Sequence, residues 1–259
     1  MSGQRLHLLA AVVGAASLGL ALFAQNPQAG AAPIRVLSSN GVKAAVEELQ
    51  GQAERAIGHP LAIEFSTAAS LKQRIENGEI FDVAIVTRES LDALVQQGKI
   101  DATTRTGVAR TGVGVGFRKG VTKPDVRTSN AMKRTLLSAK SVAYTKDGAS
   151  RSAIDAMFSR LGIAGDLERK TLLEPAGQAP LRVAEGKAEL VLTLISEILP
   201  VPGIELAGPI PAEFQNYVAF EAGISAGSIN PTAGRALIQF LTTPLAVRVL
   251  KSKGMETIP

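Results

Sequence analysis

Short apolar runs rich in β-branched residues alternate along this chain with stretches where apolar residues recur every three or four positions. Ile34–Leu37 is the first run and predicts a buried strand. Beyond it Val42, Ala45, Val46, Leu49 and Ala53 share one helical face. Between them lies Ser38-Ser39-Asn40-Gly41, a small polar turn with N-cap chemistry and a residue lacking Cβ. The design recurs. Leu61–Phe65 predicts a strand, Ser66–Ser70 a second polar turn, and Leu71 and Ile75 the apolar face of a helix stopped by Asn77-Gly78. Phe81–Thr87 predicts a third strand, followed by a helix on Leu91, Leu94 and Val95. Strands alternating with helices imply a parallel sheet with right-handed crossovers. In such a sheet the polar turns gather at the carboxyl edge of the strands, where ligands bind.

Thr111–Phe117 then alternates glycine with apolar residues, which predicts a strand whose one face is approached closely by another backbone. It reads as a hinge strand leading out of a first lobe. Arg118–Arg134 reads as a charged connector with a single helical turn. A second α/β unit follows, with a strand at Ser141–Thr145, a turn at Lys146–Ser150, and a helix opened by Arg151 on Ile154, Met157, Phe158 and Leu161. Pro175–Gln178 opens a short helix, and Glu189–Ile195 is apolar enough for a central strand. A loop-rich segment surrounds a short strand at Ile204–Ala207. Tyr217–Ser225 reads as the returning strand. Two closing helices follow, carried by Leu237, Ile238 and Leu241, then by Leu245, Val249 and Leu250.

Composition changes this picture at the N-terminus. Residues 1–32 combine Arg5, the apolar run Leu8–Phe23 and small residues at Ala29–Ala32, the pattern of a cleaved secretory signal. An uncleaved anchor is the alternative, although the run is short for a bilayer span. The chain has no cysteine, so disulfides and thiolate metal sites are excluded. Its net charge of +5 is dispersed and aromatics are only 4%, which argues for mild attraction to anions and against a nucleic-acid surface. Histidine occurs only at His7 and His59, so imidazole triads and histidine metal sites have no basis. Gly148-Ala-Ser-Arg-Ser152 lacks the second glycine of a nucleophile elbow. Binding by hydroxyls and backbone N–H groups is therefore expected, not catalysis, with no cofactor and no metal. An exported hydrolase built around Ser150 and a ligand-sensing module on the same fold are the alternatives.

The order of elements resembles a known family. The segments VLSSNGVKAAVEEL, FSTAASLKQRIENGEIFDVAIVT, GVGVGF, YTKDGASRSAIDAMFSRLG, AEGKAELVLTLISEIL and FLTTPLAVRVLKSKG are similar to the molybdate-binding-like branch of periplasmic solute-binding proteins. The resemblance covers nearly all of the chain after Ala32. It implies an α/β, two-lobed type II binding-protein fold, each lobe a mainly parallel sheet flanked by helices, with the ligand cleft between the lobes. Residues 33–111 and 221–259 would form lobe 1 and residues 112–220 lobe 2. It implies a periplasmic monomer that captures a small anion and delivers it to an ABC permease in the inner membrane. The expected ligand residues are Ser39, Asn40, Gly41, Thr67, Ala68, Ala69, Ser70, Ala149, Ser150, Arg151, Gln178, Thr193 and Ile195. Gly41 and Ala68 stand where the molybdate binders place serines, and a tyrosine expected near Leu194 or Ile195 is absent. Arg151 brings a full charge where the resemblance puts a small residue, and guanidinium suits a planar carboxylate. An organic carboxylate is therefore preferred slightly over molybdate or tungstate.

Overall fold

The computed structural model describes residues 32–258. The signal reading falls almost wholly on residues 1–31 and lies outside the described residues. The strands are β1 (Ile34–Ser39), β2 (Leu61–Ser66), β3 (Val83–Thr87), β4 (Thr106–Thr111), β5 (Val113–Arg118), β6 (Val142–Thr145), β7 (Thr171–Glu174), β8 (Leu190–Leu194), β9 (Ile204–Pro209) and β10 (Val218–Ile224). The helices are α1 (Lys43–Ile57), α2 (Ala68–Glu76), α3 (Arg88–Gln96), α4 (Ser129–Ser138), α5 (Arg151–Arg160), α6 (Ala164–Glu168), α7 (Ala179–Ala184), α8 (Ile195–Ile198), α9 (Pro231–Leu241) and α10 (Pro244–Ser252).

Two five-stranded sheets define the lobes, ordered β2-β1-β3-β10-β4 and β7-β6-β8-β5-β9. In the first, β1 pairs parallel with β2 and β3, setting Ile34 opposite Leu61 and Val36 opposite Val83, while β10 runs antiparallel to both its neighbours. In the second, β6 pairs parallel with β7 and β8, and β5 is the antiparallel member between β8 and β9. Each sheet thus carries one reversed strand, and those reversed strands belong to the two crossings between lobes. A continuous apolar core joins the sheets, running from Val36 and Ile85 through Val113 and Phe220 to Leu192.

The crossings are clamped together. The chain leaves the first sheet through Gly112, between β4 and β5, and returns past Gln215 into β10. Gln215 Oε1 accepts from the Val113 N–H at 2.7 Å, and its Nε2 donates to the Val113 carbonyl at 2.9 Å. A Cβ on Gly114 would lie 2.8 Å from Ile195 Cγ1, and one on Gly116 would lie 2.6 Å from Val191 Cγ1. The glycine face is therefore filled mainly by side chains, not by the second backbone expected from the alternation.

Several elements differ from the sequence reading, the short helices α6 and α8 among them. β4 and β7 were not anticipated. Both are edge strands, with Arg110 and Thr106 partly exposed on β4 and Leu173 exposed on β7, so neither displays a buried apolar run. The connector after Arg118 contains the full helix α4 instead of one turn. Thr128 caps it by accepting from the Ala131 N–H at 3.1 Å, and Ala131, Met132 and Leu136 are buried.

Candidate functional site: the cleft between the lobes

Four strand ends converge between the lobes. At the end of β1, the Ser39 hydroxyl accepts from the Gly41 N–H at 3.4 Å and a 3-10 turn, Asn40–Val42, leads into α1. At the end of β2, Thr67 caps α2 by accepting from the Ser70 N–H at 3.2 Å. The same Thr67 hydroxyl donates across the cleft to Asp147 Oδ2 at 2.9 Å. Asp147 belongs to the turn after β6, and this turn brings Gly148 and Ala149 to the cleft. At the end of β8 the chain bends directly into α8. There Ser196, itself buried, donates to the Gly41 carbonyl at 2.7 Å. Among the described residues these two hydrogen bonds tie the lobes together at the cleft.

The cleft has an inner and an outer part. The inner cavity has a volume of about 10 Å³ and is walled by Ser39, Asn40, Thr67, Ala68, Thr145, Ala149 and Glu197, among others. That is room for about one water molecule. The outer groove, about 360 Å³, is lined by Asn40, Lys43, Glu47, Phe65, Gln178 and Glu197 with their neighbours. Asn40, Gly177 and Glu197 line both, so the two cavities are adjacent. Lys43 is engaged by Glu47 at 3.7 Å and stands 5.5 Å from the Phe65 ring centroid.

Of the residues expected from the sequence, Ser39, Asn40, Thr67, Ala68, Ala149 and Gln178 line these cavities. Gly41, Ala69, Ser70, Ser150, Arg151, Thr193 and Ile195 line neither. Gly41 lies beneath the Phe220 ring, and a Cβ there would approach Cζ to 2.2 Å. This aromatic ring occupies the space next to the position where the family resemblance puts a serine. Ser150 is buried and makes no capping hydrogen bond with its side chain. Thr193 is buried and donates to Glu197, while the Ile195 N–H is taken by the Gly112 carbonyl at 2.9 Å. Arg151 turns away from the cleft. Its Nε donates to Asp155 at 2.6 Å, and its guanidinium sits 5.1 Å from the Tyr144 ring, in a separate groove. The i,i+4 carboxylate and the aromatic face offer this cation two local partners.

Glu197, Ser196 and Asp147 were not singled out from the sequence. Ser196 and Glu197 follow a strand that reads as apolar through Ile195, and nothing in the local pattern announces that α8 turns them into the cleft. Glu197 is half-buried. Burial pushes its carboxyl above the ordinary carboxylate range, and the hydroxyl of Thr193 offsets part of that rise. His59, the one histidine among the described residues, sits before β2, at the opposite end of that strand from Thr67, with Nδ1 3.2 Å from the Ala32 carbonyl. Among the described residues no imidazole stands beside Ser150. Among the described residues no cluster of three or more carboxylate or histidine groups is placed to hold a metal.

Two lobes, paired crossings and a cleft walled by strand-end turns define a solute-capture protein. The chain belongs to the bacterial extracellular solute-binding proteins, whose family model matches residues 34–256. It is 30% identical over 251 residues to the aconitate isomerase of a Pseudomonas species, covering 94% of this chain and 96% of that one. It is 25% identical to the molybdate-binding protein ModA of Azotobacter vinelandii over 92% of this chain and 94% of that one. The solved structure of the periplasmic molybdate-binding protein of Azotobacter vinelandii superposes with a TM-score of 0.75 at 19% identity, over 87% of this chain and 99% of that one. Solute-binding proteins of this family bind small anions and work with ABC-transporter permeases. Among the described residues no helix is long and apolar enough to cross a membrane.

Proposed function

We propose that this protein captures a small organic anion carrying carboxylates in the interlobe cleft and passes it to an ABC permease. The observation that carries this reading is the outer groove of about 360 Å³ opening onto the strand-end turns. That volume is at the lower end of the range of about 300–1,000 Å³ for small-molecule pockets, and it exceeds what a tetrahedral oxyanion fills. Ser39, Asn40, Thr67, Ala68, Ala149 and Gln178 supply hydroxyl, amide and backbone donors from both lobes. The two sheets with their helices move as the closing bodies, with the return to lobe 1 at Val218, where β10 begins, instead of at residue 221, and the ligand stabilises the closed state through contacts that only that state offers. The similarity to a protein named for aconitate also favours a polycarboxylate over molybdate. Export with loss of residues 1–32 completes the reading, and N-terminal sequencing of the secreted protein tests it.

Calorimetry of the mature protein against cis- and trans-aconitate, citrate, malate, sulfate and molybdate decides the ligand class. A polycarboxylate is expected to bind most tightly. Tighter molybdate binding would transfer the assignment to oxyanions, and no binding by any of these anions would sink the capture role. A second reading, isomerisation of an unsaturated carboxylate, is favoured by the same relative. It predicts that cis-aconitate incubated with the protein yields the trans isomer by NMR, whereas simple capture leaves the pool unchanged.

A further inference from the structure

Glu197 is the only ionisable side chain that lines the inner cavity. It also lines the outer groove, so an anion seated there meets its carboxyl. The neighbouring charges are otherwise engaged. From α1, Lys43 pairs with Glu47 at 3.7 Å. From α7, Arg182 pairs with Glu174 at 2.9 Å. At the Gly254 turn, which packs on Ile195, Lys253 pairs with Glu48 at 2.6 Å. Asp147 in the facing turn accepts from Thr67. β8 and the Asn40–Val42 turn bring no charge, β9 brings only exposed Glu205, and Arg118 of β5 lines a different groove. Glu197 has no ion-pair partner among the described residues, and its one hydrogen bond comes from the Thr193 hydroxyl.

An ionised carboxylate there would repel the anion the cleft is built to take, with little water to screen the repulsion. A protonated one offers an O–H donor instead. Resting on the capture reading above, we infer that the cleft takes up its anion together with one proton held on Glu197. The carboxyl then donates to the ligand, and capture weakens as the medium becomes alkaline.

The test is calorimetry with trans-aconitate, run from pH 6 to 9.5 in buffers of different ionisation enthalpy. Wild type is expected to lose affinity by about tenfold per pH unit above the titration of Glu197, with uptake approaching one proton per ligand there. Glu197→Gln, which keeps a hydrogen-bond acceptor for Thr193, is expected to bind with neither proton uptake nor this pH dependence. Glu205→Gln, an exposed carboxylate of β9 that lines neither cavity, is expected to retain both. Binding without proton uptake at any pH, or a Glu197→Gln variant with the wild-type profile, overturns the inference and leaves anion capture standing. Failure of trans-aconitate and every other panel anion to bind overturns capture itself and the inference with it.

Discussion

Gly41 shows how one residue can separate a fold from its usual ligand chemistry. Its place after β1 is occupied overhead by the Phe220 ring, and its carbonyl is committed to Ser196 across the cleft. Gly41→Ser is therefore expected to cost about 1–3 kcal/mol through overpacking rather than to create an oxyanion contact. Urea denaturation measures the cost, and an unchanged midpoint would mean that the ring moves freely. Glu197 carries a second residue-scale prediction. Because burial raises its carboxyl, the folded protein holds a proton over a pH range in which the unfolded chain has released it. Stability falls as pH rises from the ordinary carboxylate value to the raised one and is level above it. Glu197→Gln should remove that slope and raise the melting temperature on the alkaline side. Parallel melting curves for the two proteins between pH 5 and 9 would contradict it.

Elements meet at this cleft through the ends of four strands. β1, β6 and β8 run apolar into the core and end in Ser39, Thr145 and Leu194, while β2 is a half-exposed edge strand that ends in Ser66; turns or helices begin at each. The helix after β2 is read directly from the chain, since Thr67 capping α2 is a short-range event. The turn after β8 is not, because α8 is only four residues long and is shaped by Gly112 accepting the Ile195 N–H. β5 depends on absent side chains in the same way. Gly114→Ala would press on Ile195 and Leu206 at under 3 Å and is expected to cost about 1–3 kcal/mol. A melting temperature equal to wild type would show that Ile195 and Leu206 can yield at no cost.

Across the whole molecule, the proposed closure would balance the two lobe-to-lobe hydrogen bonds against the freedom of an open state. Asp147→Ala removes the acceptor of Thr67 while leaving Thr67 as the cap of α2. One such bond contributes about 0.5–1.5 kcal/mol, which shifts the closed-to-open ratio by about two- to tenfold. Small-angle scattering of the ligand-free variant should report a larger radius of gyration, and ligand affinity should fall by a similar factor. An unchanged radius and affinity would assign closure to the Ser196–Gly41 bond and the hinge alone. By itself the sequence determined the alternation of strands and helices, the mainly parallel sheets and the polar turns at Ser39, Thr67 and Ala149, because these rest on local periodicity and capping, and its segments carried the resemblance that implied the class of protein. It could not show that Phe220 covers Gly41, that Arg151 is held away by Asp155 and Tyr144, or that Glu197 lines the inner cavity. Those arrangements join residues distant along the chain or depend on how a helix turns against its neighbours, so only tertiary packing decided them.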